Sequence, residues 1–265
     1  PAELAYQRML ARDPVEATEQ ARNVLKQKPL LAYYDEVLVP GLRLAQLDAE
    51  RGLLDDERML GIRDAAAEII DDLSTHEDKP EPAPAEETAA DEETPLAQIH
   101  KTEESLREES ATLPEQWRTK QPVLCIPGLG LLDEAVALMV AQLIERNGIG
   151  ARAERADALS ISRIFTLDTK DVALVCLCYV ENATSAQIRY AMRRLRRKAP
   201  DAYILVTMLG ASIDTDVREA LQGFPNSGLV QSLDETVAQV RAAATGRQDP
   251  IAAPDAKPLA RAANL

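Results

Sequence analysis

From Leu4 to Leu73 apolar positions recur at three- and four-residue spacing, the period of helices with one buried face. Leu4, Met9 and Leu10 mark a first helix, and Val15, Ala21, Val24 and Leu25 a second. Asp13-Pro14 opens the second. Asp13 accepts backbone N–H groups as a cap, Pro14 takes the first helical position, where its missing N–H costs nothing, and Glu16 complements the positive helix end. Pro29 opens a third helix through Tyr33, Tyr34, Val37, Leu38, Leu42, Leu44 and Leu47 to a stop at Gly52, with Pro40 expected to kink or break it. A fourth runs from Asp55 or Asp56 through Leu60, Ala66, Ile69 and Ile70 to Leu73. The pattern predicts a four-helix bundle over residues 1–73.

From Pro122 to about Ala244 the period changes, and short apolar runs alternate with helical stretches. The runs are Val123 to Ile126, Ala151 to Glu154, Val172 to Tyr179, Tyr203 to Met208 and a weak Gly228 to Val230. Helical periods fall at Leu132 to Arg146, Ser160 to Phe165, Ala186 to Lys198, Thr215 to Leu221 and Leu233 to Ala244. Such a series predicts an α/β unit over residues 116–247, a parallel five-stranded sheet with helices on both faces in the flavodoxin-like or Rossmann-like manner. Between the two patterns, residues 74–115 read as an acidic linker rich in Pro, Ala and Glu. Residues 248–265, with Pro250, Pro254 and Pro258, read as a flexible tail.

Charge sharpens this division. The chain has 265 residues and a net charge of −14, which repels nucleic-acid phosphates and anionic lipid as a whole. Eight acidic residues against Lys79 alone lie between His76 and Pro95, so that stretch carries −7. The 3 Cys suit a reducing compartment and exclude a disulfide framework. There is no run of 18 apolar residues and no initiator Met or signal core at Pro1-Ala2-Glu3-Leu4, so the expectation is a soluble piece of something longer.

Candidate chemistry is sparse. The 2 His, His76 and His100, both fall in the linker segment, which disfavours histidine-dependent catalysis and most zinc sites. Gly128 and Gly130 follow the first strand, and Gly210 follows the fourth, so these three are the candidate ligand-loop residues. Asp133 stands where G-x-G-x-x-G would place its third glycine, and its carboxylate competes with a phosphate for the same donors. Glu154 ends the second strand, where a ribose-binding acid lies in a dinucleotide fold. Cys176 and Cys178 share one sheet face and read as small core residues, since C-x-C without a second pair lacks metal-ligand spacing. Arg189, Arg193, Arg196 and Arg197, with Arg194 and Lys198 beside them, form the basic patch. It reads first as a solvated face, then as a contact for the acidic linker, for anionic lipid heads or for RNA. The lack of interleaved aromatics argues against single-strand nucleic acid. Trp117 either lies over the ligand side of the sheet or caps its edge.

The order of bundle, linker and α/β unit, with Tyr34-Asp35-Glu36-Val37-Leu38-Val39-Pro40 and Arg51-Gly52-Leu53-Leu54-Asp55-Asp56-Glu57-Arg58, resembles the cobalamin-binding module. That family carries D-x-H-x-x-G in its first β-α loop, its histidine replacing the lower axial ligand of cobalt. Here Leu129 stands at the aspartate, Leu131 at the histidine and Glu134 at the glycine, and the paired glycines after the fourth strand are reduced to Leu209-Gly210. The same phrases, with Tyr6-Gln7-Arg8-Met9-Leu10, also resemble the C-terminal cytosolic extension of bacterial autoinducer-2 exporter-type permeases. The resemblance implies a degenerate cobalamin-binding-like fold without catalysis or cofactor, on the cytoplasmic side of the inner membrane. It implies a regulatory or interaction role. Expected partners are the transmembrane part of the same polypeptide and a cytosolic protein or a second copy, with no nucleic acid. The alternative is a ligand-sensing module that takes a nucleotide or a cobalamin-like cofactor without histidine ligation.

Overall fold

In the computed structural model, which describes residues 1–78, 113–210 and 212–246, five strands pair in parallel in the order β2-β1-β3-β4-β5. They are β1 (Val123–Pro127), β2 (Ala151–Ala153), β3 (Leu174–Tyr179), β4 (Tyr203–Met208) and β5 (Ser227–Val230). This is the flavodoxin-like order, in which the chain reverses direction across the sheet between β1 and β3. Four helices follow strands: α6 (Asp133–Arg146), α7 (Ser185–Lys198), α8 (Thr215–Gln222) and α9 (Leu233–Ala244).

The period of two in each strand divides the core. Val123, Cys125, Cys176, Cys178 and Leu205 face α6 and α9, while Leu124, Ile126, Val175, Leu177, Tyr179, Ile204 and Val206 face α7 and α8. Strands apolar on both faces are what a sheet covered on both sides requires. The mixed α/β class expected from the sequence is therefore the observed one.

The expected helix from Ser160 to Phe165 is absent; the link from β2 to β3 is a series of turns. The Ser160 hydroxyl lies 3.3 Å from the Arg163 amide and 3.2 Å from the Ser162 hydroxyl, local bonds that compete with helical continuation.

The amino-terminal helices are α1 (Ala2–Leu10), α2 (Pro14–Val24), α3 (Leu30–Tyr33), α4 (Val39–Glu50) and α5 (Asp56–Asp72). Asp13 caps α2 through the Glu16 amide at 3.2 Å, as the sequence predicts, and Asp55, one of the two starts expected for this helix, caps α5 through the Arg58 amide at 2.8 Å. Pro40 does not break the third helix. A π-helical segment over Tyr34–Leu38 joins α3 to α4, and Pro40 falls in the first turn of α4. The wider turn relieves the contact between the proline ring and the preceding carbonyls. Gly41 lets α4 approach α1, since a Cβ there would lie 3.1 Å from the Ala2 carbonyl oxygen.

These helices share one apolar core with the α6 and α9 face of the sheet. Gln142 of α6 binds both ends of the seam: its carboxamide oxygen accepts from the Tyr34 hydroxyl at 2.5 Å, and its amide donates to the Ile70 carbonyl at 2.7 Å. The folded part also reaches beyond the expected boundary at residue 73. Asp78 accepts the Leu30 amide at 2.7 Å and pairs with Arg146 at 3.3 Å, and Arg146 also donates to the His76 carbonyl. His76 thus sits at the seam, and only residues 79–112 of the expected linker, with His100, lie outside the described residues, as does the whole of the expected tail.

Candidate functional site

An open parallel sheet offers ligands the crevice at its carboxyl edge where the topology reverses, here between the loops after β1 and β3. The sheet delivers Gly128 and Gly130 on one side and Val180 and Glu181 on the other. Between them stands Asp133 at the start of α6, 4% exposed. Its Oδ2 accepts the Gly130 amide at 2.8 Å and its Oδ1 accepts the Val180 amide at 2.8 Å. One carboxylate thereby holds both loops, and it occupies the donors that an incoming anion would use. Burial pushes its pKa up to about 6, opposed by the two amides that favour the charged form.

The glycines close the same space. A Cβ on Gly128 would lie 2.2 Å from Cε1 of Tyr179 and 2.7 Å from Oδ2 of Asp133, and the Gly128 amide donates to the Cys178 carbonyl at 2.8 Å. A Cβ on Gly210 would lie 2.1 Å from Oδ1 of Asn182, in the loop after β3. Gly128 and Gly130 thus converge on Asp133, whereas Gly210 packs against a separate side chain. The Tyr179 hydroxyl is buried without a hydrogen-bond partner among the described residues, and burial raises its pKa, helped by the nearby Asp133 charge. The helical layer reaches this edge through Arg43, whose Nε lies 2.5 Å from Oε1 of Glu181.

The positions that the cobalamin motif would fill point elsewhere. Leu129 is half exposed, Leu131 packs against the core, and Glu134 accepts the Ala156 amide at 3.0 Å. Glu154 pairs with Arg152 at 3.3 Å. Cys176 and Cys178 lie fully buried beside Cys125 on the α6 face, and among the described residues no His, Cys, Asp or Glu group has metal-binding geometry. Trp117 is buried before the amino end of β1, close to Thr119, whose hydroxyl donates to the Asp171 carbonyl at 3.2 Å. It therefore does not lie over the carboxyl edge.

The arginine face of α7 needs one correction. Arg196 turns away from the row and donates to the carbonyls of Pro200, Ala202, Pro225 and Asn226 at 2.8 to 3.2 Å, tying the helix end to the turn before β5. At 100° per residue it falls on the shoulder between the arginine face and the buried stripe of Ile188, Met192 and Leu195. Arg189, Arg193, Arg194 and Arg197 remain and line an open groove of about 550 Å³ with Ile161, Phe165, Ala186 and Tyr190. The guanidinium of Arg194 stacks over the Tyr190 ring at 4.4 Å. The apolar spacing of the sequence sets Ile161 and Phe165 in a helix and does not announce them as site residues. The signal available was two large apolar side chains set among serine and arginine.

In comparison with known proteins, no family model and no curated protein matches the chain. Among solved structures, a cobalamin-binding protein from Desulfitobacterium hafniense DCB-2 aligns over 92% of this chain and 98% of its own, with 10% identity and a TM-score of 0.38. A likeness of that degree carries no inference about a ligand. Among the described residues, no helix is long and apolar enough to cross a membrane.

Proposed function

We propose that this chain is a non-catalytic interaction and regulatory region of an inner-membrane permease of the autoinducer-2 exporter type, held on the cytoplasmic face by a transmembrane part of the same polypeptide. The observation that carries the non-catalytic reading is Asp133. The switch-point donors that would bind a nucleotide or cofactor are held at 2.8 Å by the protein's own carboxylate. The permease assignment is supported by the Tyr6 to Leu10 and Tyr34 to Pro40 phrases. Rigid seating of the helical layer on the α/β unit, through Arg43, Tyr34 and Gln142, suits a module that passes on a change of position.

Two measurements test this reading. In cells of the source organism, antibody to this chain should find it in carbonate-resistant membranes, and protease should reach it only in inside-out vesicles. Recovery in the soluble fraction overturns the permease assignment. Titration with hydroxocobalamin and a nucleotide panel, followed by absorption and thermal unfolding, should leave the purified chain unchanged. A stoichiometric spectral shift would establish the ligand-sensing alternative.

A further inference from the structure

We propose that the groove between α7 and the 157–166 turns is a docking surface for an anionic phospholipid membrane, with Phe165 and Ile161 entering the interface and Arg189, Arg193, Arg194 and Arg197 meeting the phosphates. This goes beyond the permease reading and does not rest on it.

Two independent observations converge. Phe165 and Ile161 are 79% and 71% exposed, the two most exposed large apolar side chains among the described residues, and they line one groove. Single exposed apolar side chains need no explanation, but the two most extreme ones side by side mark a surface that is covered in use. The second observation is charge. None of the four guanidiniums pairs with a carboxylate among the described residues: Arg189 donates to the Ser185 hydroxyl, Arg194 stacks on Tyr190, and the nearby Asp157 pairs with Arg163 instead.

Apolar side chains that stand out from the surface, beside arginines with no carboxylate partner among the described residues and a part-exposed tyrosine, match the boundary between lipid headgroups and acyl chains. An acidic polypeptide would satisfy the arginines but would leave Phe165 and Ile161 without a function. The net charge of −14 does not oppose local docking at physiological salt, where fields fade within about 8 Å. Half of that charge also belongs to the stretch from His76 to Pro95.

The test is co-sedimentation of the purified full chain with vesicles of phosphatidylcholine alone and of phosphatidylcholine mixed with phosphatidylglycerol, at low and high salt. Two variants accompany it, Arg189→Gln/Arg193→Gln/Arg197→Gln and Ile161→Ser/Phe165→Ser, each checked for unchanged thermal unfolding. Binding should require phosphatidylglycerol and weaken with salt. At about fivefold per cation, the arginine variant should bind about 100-fold more weakly at low salt. The serine variant should also lose binding at both salt concentrations. Absence of binding at low salt, or binding that the serine variant retains, overturns the proposal. Capture of poly-glutamate without vesicle binding would assign the groove to an acidic polypeptide. Since the purified chain needs no membrane span to bind vesicles, this outcome is independent of the cell fractionation above.

Discussion

The carboxylate of Asp35, in the π-helical segment, accepts the backbone amide of Leu233 at 3.1 Å and so caps a helix that begins 198 residues later in the chain. Its other oxygen lies 3.4 Å from the Asp234 amide. Ser232 serves the next free amide of α9, that of Glu235 at 3.1 Å, so the amino end of the helix is completed jointly by its own residue and by the helical layer. Burial raises the Asp35 pKa, and the Leu233 and Asp234 amides oppose that shift.

Asp35→Ala should therefore destabilise the protein by about 1 kcal/mol, the usual cost of a lost cap. Asp35→Asn retains one acceptor and should recover part of that loss. Urea unfolding of the three proteins measures both, and equal midpoints for wild type and the alanine variant would show that the seam is held elsewhere.

A second expectation concerns pH. Asp133 has its pKa raised from 3.8 to about 6 by burial, so the folded chain holds this proton more tightly than the unfolded one. Stability from this group is full below about pH 4 and falls as pH rises toward about 6, by about 3 kcal/mol in total. Other carboxylates act in the opposite direction, so the quantity to measure is the difference between wild type and Asp133→Asn. Relative to the variant, wild type should lose stability steadily across that window. Parallel curves for the two proteins would contradict the burial account.

Much of the architecture was legible because it rests on short-range physics. Asp13 caps the helix its position announces, α5 begins at the expected Asp55 or Asp56, and the strand alternation that sets Cys176 beside Cys178 on one face is visible in the residues themselves. What escaped was decided at long range. Nothing near Asp35 announces the α9 terminus, and nothing near Arg43 announces Glu181. Asp133 was legible as a competitor for the loop donors, yet its second bond, to Val180, needs the β3 loop brought beside β1. The turns at Ser160 to Phe165 were misread because the apolar spacing of Ile161, Ile164 and Phe165 mimics a helix. Ile164 alone turns inward, and the other two remain exposed.

The thiols give a third prediction. Cys125, Cys176 and Cys178 are fully buried, and burial raises the pKa of Cys125 and Cys178 well above the ordinary thiol range, with further upward pressure from neighbouring thiols. Thiolate is the reactive form, so burial and suppressed ionisation both protect them. Intact-mass measurement after iodoacetamide should show no adduct on the native protein and three in denaturant. Rapid labelling of the native chain would mean that the sheet opens on the α6 face.

The fourth concerns the contact between Gly128 and Tyr179. The Tyr179 ring fills the space over Gly128, while its hydroxyl is buried with no partner among the described residues. Packing and polarity therefore predict opposite effects for two substitutions. Tyr179→Phe keeps the ring and removes an unsatisfied group whose burial costs about 1 to 3 kcal/mol, so it should leave stability unchanged or raise it by about 1 kcal/mol. Gly128→Ala would set a methyl 2.2 Å from Cε1 of that ring and 2.7 Å from the Asp133 carboxylate, and should destabilise by about 2 kcal/mol or more through overpacking. If the ring is the principal obstacle, the cost of Gly128→Ala should shrink in a Tyr179→Ala background, leaving only the contact with Asp133. Thermal unfolding of the four proteins of that cycle, with Tyr179→Phe alongside, reads the coupling directly. Strict additivity would show that the loop moves freely away from β3, and a large loss in Tyr179→Phe would reveal a partner for the hydroxyl.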